Sequence, residues 1–161
     1  WLGRPLDSVL RDAAAAWPPQ FNRIRAMPGL KLLADDTMFS LFKSHNVTPG
    51  PDVLVVRNAF AEKNADVLRA FLKTYFNACT VLRDRPDEAA KHLVGLTNLS
   101  VEDQVETIKG AEWYSAAQQQ QLLKVPGSYA DGLQRLADML VTHKQLDKAP
   151  AVREWINVSY L

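Results

Sequence analysis

Trp17 and Asp52 are the two side chains of this 161-residue sequence best suited to meeting a ligand. Trp17 closes the apolar run Ala13-Ala14-Ala15-Ala16 and is followed at once by Pro18-Pro19. A tryptophan stopped by two prolines makes a rigid aromatic wall, and its indole N–H can donate to an anionic group. Packing in a core is the other use for such a residue, and the local sequence leaves both open. Asp52 follows Pro51 and precedes Val53-Leu54-Val55-Val56. A carboxylate there can pair with a ligand amine or brace a turn, and again both remain open. Read as buried strands, these apolar runs put both residues at strand ends, where open α/β sheets bind small ligands.

The other reactive groups form no constellation. His45, His92 and His143 fall in separate segments without His-x-His or His-x-x-x-His spacing, and Cys79 lies far from two of them in sequence. That pattern carries no metal-site signature, and no cofactor is expected. Each histidine reads as a helix-surface residue. Cys79 lies on an apolar helical face with Phe76 and Leu82, as a buried, inert thiol would. The seven glycines build no nucleophile elbow, phosphate loop or dinucleotide fingerprint. The adjacent carboxylates Asp87-Glu88 and Glu102-Asp103 stand at helix starts, where they complement the helix dipole.

Composition narrows the class further. A 47% hydrophobic and 23% charged chain of this length suits one ordinary globular core. Nineteen basic residues against eighteen acidic leave a charge of +1, with no basic stripe. Nucleic acid and anionic membrane are therefore not expected partners. No apolar run is long enough to span a bilayer. A start at Trp1 without a methionine suggests a processed or truncated product, with any signal peptide removed. One cysteine excludes an internal disulfide and fits either the cytosol or a periplasm.

These residues need elements to hold them. Leu6 to Arg11 reads as the end of a helix. Asp12 to Trp17, Leu30 to Ala34 and Val53 to Val56 read as short strands, the last being β-branched and bounded by Pro51 and Asn58. Pro18 or Pro19 suits the first turn of a helix reaching Arg25, and Pro28-Gly29 a turn. Between Asp35 and Gly50, Met38, Phe39, Leu41 and Phe42 suggest a short helix. Beyond Phe60 the period becomes helical. Leu68, Phe71, Leu72, Tyr75, Cys79 and Leu82 make one apolar stripe on a long helix. Arg85-Pro86-Asp87 breaks it and starts a helix over Glu88 to Val94. Ser100 with Asp103, and Ser115 before a glutamine-rich run, look like helix caps. A helix carrying Tyr129, Leu133, Leu136, Ala137 and Leu140 and a short one around Trp155 complete the chain. Three strands in the first third followed only by helices suggest the later part of a larger α/β architecture.

Five pieces of sequence, in order, carry a family likeness. They are Asp12-Ala13-Ala14 with Trp17-Pro18-Pro19; Leu30-Lys31-Leu32-Leu33-Ala34-Asp35-Asp36; Pro51-Asp52-Val53-Leu54-Val55-Val56-Arg57-Asn58-Ala59-Phe60-Ala61-Glu62-Lys63-Asn64; Phe71-Leu72-Lys73 with Arg85-Pro86-Asp87-Glu88-Ala89-Ala90; and Gly110-Ala111-Glu112-Trp113-Tyr114-Ser115-Ala116-Ala117-Gln118-Gln119-Gln120. From about Asp7 onward the chain resembles the substrate-binding proteins of bacterial nitrate/sulfonate/taurine ABC transporters, most closely the taurine-binding branch. The resemblance implies the C-terminal part of a two-lobed α/β periplasmic-binding-protein fold. Residues 1–50 would end the second lobe and cross over, and 51–161 would hold a return strand and the helical part of the first lobe. It implies a non-enzymatic protein that binds a small anionic or zwitterionic solute, such as taurine or an alkanesulfonate, and delivers it to an ABC permease. It implies Trp17, Asp52, Pro18 and Asp12 as ligand-binding residues. It also implies a monomer when complete, in the periplasm or lipid-anchored at the outer face of the inner membrane. Two departures stand out: Leu10-Arg11 where the family has a glycine, and Gly50-Pro51-Asp52 where the taurine branch has Pro-Thr-Leu. Two alternatives stay open, a solute-sensing module paired with an ATPase or transcription factor, and an enzyme like the thiamine-pyrimidine synthases, for which His45 would be the cleft histidine.

Overall fold

The computed structural model describes residues 13–161. Among them every regular element is helical. In order these are α1 (Gln20–Arg25), a 3-10 turn (Asp36–Met38), α2 (Ser40–His45), α3 (Asn58–Lys63), α4 (Ala65–Asp84), α5 (Pro86–Thr97), α6 (Val101–Lys109), α7 (Ala116–Leu122), α8 (Ser128–Thr142) and α9 (Val152–Trp155). The expected α/β periplasmic-binding-protein fold is therefore overturned, because no described segment is a strand. Leu30–Ala34 and Val53–Val56 are irregular, and none of their amides or carbonyls joins a backbone hydrogen bond among the described residues. Their β-type sequence needs a neighbouring strand to bond to, and none lies alongside. Val55, read as a buried strand residue, is 88% exposed. Residues 13–17 are likewise not a strand, and the expected helix over Leu6 to Arg11 lies outside the described residues.

The chain divides into two compact units. One takes in the described residues up to Leu33 together with Val81–Trp113, and the other is Ala34–Thr80 with Tyr114–Leu161. The first is built on the α5–α6 hairpin, as the sequence caps dictate. Pro86 opens α5 at a position where its missing N–H costs nothing. Asn98, left-handed at φ 56°, closes it. Ser100 then accepts the Asp103 amide at 3.0 Å and starts α6. Ala89, Ala90, Val105 and Ile108 form the core between the two helices, with Val81, Leu82, Leu93 and Trp113 packed around it. Trp113 is tied down by its indole N–H, which donates to the Ile108 carbonyl at 2.8 Å. The one buried polar side chain of the described residues, Gln104, accepts from the Thr97 hydroxyl at 2.8 Å. Such pairing removes most of the cost of burying an amide. An Arg23–Asp103 ion pair joins α1 to α6.

The second unit centres on α8, which packs against α2 and α9. Gly132 makes the α2 approach possible. A methyl group at that position would stand 2.5 Å from the His45 Cβ and 2.8 Å from Val47 Cγ2. Val47, the residue this contact covers, is wholly buried. The Gln134 side chain accepts the Val152 amide at 3.0 Å, and Arg153 pairs with Asp131, which together dock α9. Ser115 and Gln118 form a reciprocal capping box at the start of α7.

Glycine substitutions in two helices should separate packing from propensity. Gly132→Ala is expected to destabilise the chain by roughly 2 kcal/mol, because its methyl meets the immovable base of His45 rather than a flexible tip. Gly95→Ala, on α5 with nothing within 4 Å, is expected to stabilise by about 0.5–1 kcal/mol through helix propensity. Urea unfolding of both variants measures the two signs.

Candidate functional site

Trp17 and Pro18 lie in the first unit. The Trp17 carbonyl accepts the Phe21 amide at 2.9 Å, so the residue is the lead-in to α1. Its indole is 80% exposed, which decides against a core role. The Pro18 ring comes near Gly110, where an added methyl would meet its Cγ at 3.9 Å. Pro18 is itself exposed, and the fixed φ of the two prolines limits the backbone freedom beside the indole. Asp12 lies outside the described residues.

Asp52 belongs to the second unit and is exposed. Its carboxylate has no ion-pair partner among the described residues. Close by is Tyr75 on α4. Burial pushes the Tyr75 hydroxyl above the ordinary tyrosine range, helped by its contact with the Cys79 thiol and by the Asp52 charge. Tyr75 stacks on Phe71 with centroids 6.4 Å apart and meets Phe76 edge-on at 5.3 Å. Cys79 is only 3% exposed, so the thiol is buried as expected. Trp17 and Pro18 thus sit together in one unit, and Asp52 sits in the other.

A recess in the second unit escaped the sequence reading. It has a volume of about 320 Å³ and is lined by Arg69, Leu72, Lys73 and Phe76 of α4, Ala116 of α7, and Tyr160 with Leu161. Arg69 and Lys73 stand four residues apart and so share one face of α4. The Arg69 guanidinium lies over the Tyr160 ring at 5.7 Å and also meets Asp66 at 3.2 Å. Lys73 has no ion-pair partner among the described residues. The paired cations beside Leu72 and Phe76 were a readable signal. Tyr160, far along the chain, was not.

A second hollow of about 360 Å³ is lined by Ala34, Asp35, Asp36, Met38, Phe39 and Pro49. There Asp35 is engaged as a cap, accepting the Thr37 amide at 3.0 Å and the Thr37 hydroxyl at 2.5 Å. His92 and His143 are exposed, as expected, while His45 is half-buried against α8 with its Nδ1 2.5 Å from the Ser44 hydroxyl. The described residues hold no cluster of three metal-ligating side chains. None of their helices is long and apolar enough to cross a membrane.

Burial raises Tyr129 as well as Tyr75 above the ordinary tyrosine value of about 10. The unfolded chain therefore loses these protons first, so both contributions are present below pH ~10 and fade above it. Urea midpoints measured on either side of that value should fall on the alkaline side. The fall should be shallower in Tyr129→Phe.

Compared with known protein families, with curated proteins and with solved structures, the chain finds no match.

Proposed function

We propose that this chain recognises a small anionic or zwitterionic solute, of the taurine or alkanesulfonate kind, for delivery to an ABC permease. The observation that carries the reading is Trp17, an indole 80% exposed on a Pro-Pro step instead of buried in a core. An exposed, stiffly mounted indole offers a solute an apolar face and one N–H donor at little conformational cost. The ordered likeness of five segments to the solute-binding family supports the same solute class. Pro18 takes part as the support of the indole. Such a role requires binding and release, with no bond made or broken, and it places the protein in the periplasm or lipid-anchored beside its permease.

A thermal-shift titration with taurine, ethanesulfonate, nitrate and an aminopyrimidine tests the reading. A true solute at a hundredfold over its dissociation constant should stabilise the chain by about 2.7 kcal/mol. The reading expects a shift with taurine or ethanesulfonate that Trp17→Ala abolishes. A response to the aminopyrimidine alone, or one indifferent to Trp17, would overturn it.

A further inference from the structure

We infer that residues 53–56 are a recognition site for an endopeptidase that reads aliphatic side chains, and that cleavage there leaves a two-chain form of this protein. An endopeptidase takes its substrate as an extended strand laid along its own cleft, so the substrate must offer free amides and carbonyls as well as side chains. From Pro51 to Val56 no amide or carbonyl joins a backbone hydrogen bond among the described residues. Val53, Leu54, Val55 and Val56 are 67%, 58%, 88% and 45% exposed, and no other described run offers four consecutive exposed large aliphatic side chains. Their β-branched members favour the extended backbone such a cleft needs, and Arg57 beside them already has it, at φ −70° and ψ 132°. Downstream, α3 is six residues long and starts without a side-chain cap, so its first turn opens at little cost. The competing segment, residues 30–34, is cut short at both ends. Gly29, left-handed at φ 81°, bends the chain before it, and Asp35 is tied to the Thr37 amide after it. Bonds inside the helices are reached only by local unfolding.

The Leu54–Val55 bond puts the most exposed of the four side chains just after the point of cleavage. One water is consumed there. The C–N bond breaks, the water oxygen stays on the Leu54 carbonyl carbon as a carboxylate, and both water protons end on the Val55 amine as an ammonium. The two products remain joined because their contacts lie elsewhere. α1 is paired to α6 through Arg23 and Asp103, and α2 lies on α8 at Gly132 with Val47 buried beneath. Neither Trp17 nor a solute enters this inference, so it does not rest on the reading above.

Thermolysin, an endopeptidase that cuts just before aliphatic residues, tests the site on the full chain at a low enzyme ratio. Intact mass should show the first products broken within residues 53–56. Those products should co-elute on size exclusion and keep the helical circular dichroism of the uncut chain. Replacing all four side chains, with Val53→Ser, Leu54→Ser, Val55→Ser and Val56→Ser, should slow the first cut by at least about tenfold, because cleavage elsewhere waits on local unfolding. The four are exposed, so the variant is expected to fold, and circular dichroism checks that it does. Trp17→Ala should be cut at the same place and rate, whether or not it still responds to taurine. A first cut outside residues 53–56, an unslowed cut in the serine variant, or products that separate on size exclusion would each overturn the proposal.

Discussion

Every backbone amide and carbonyl taken out of water must find a partner, and helices and strands meet that demand in different ways. A helix bonds within itself, so a segment with the right period and caps can form wherever one face is covered. A strand bonds only to another strand. Nine α-helices and no strand among the described residues are the outcome of that difference. Where local bonding suffices, the chain is ordered: α4 runs unbroken for 20 residues. Where it does not, Leu30–Ala34 and Val53–Val56 remain without backbone partners among the described residues, with their apolar side chains largely in solvent.

That constraint also explains what could be read in the sequence. Pro86, Ser100 and Ser115 are local signals, and each starts its helix as its chemistry says; of the stripe read on α4, Leu68 and Cys79 are buried whereas Phe71 is 54% exposed. Val53–Val56 is a different case. A β-branched apolar run records a preference for a pleated, half-buried surface, and that preference is realised only if a sheet exists to receive it. The run was legible and the sheet was not. Trp17 shows the same limit from the other side. Sequence left it open between pocket wall and core, and only three-dimensional packing shows the indole in solvent. The recess at Lys73 depends on Tyr160 and Leu161, whose arrival beside α4 no local pattern announces.

Packing divides α4 into distinct faces. Arg69, Leu72, Lys73 and Phe76 line the recess, while Phe71 and Tyr75 stack on one another along a different edge. The helix is long and continuously bonded, so it presents both sets in fixed register. Elsewhere rigidity comes from close approach. Gly132 lets α2 lie against α8, and Val47 is sealed beneath that contact. The exposed segments at Trp17 and Asp52 are attached to such bodies and are not part of their cores. Exposed, sparsely bonded segments mounted on stable elements are where binding and mobility concentrate.

Amide hydrogen exchange, resolved by residue, tests this account most directly. Amides of α4 and of the α5–α6 hairpin should exchange slowest, at rates set by the stability of their units, whereas those of Leu32, Leu33 and Val53–Val56 should exchange close to the rate of an unstructured peptide. Protection of Val53–Val56 comparable to that of α4 would mean that these residues are bonded in a sheet after all. The all-helical architecture would then be wrong.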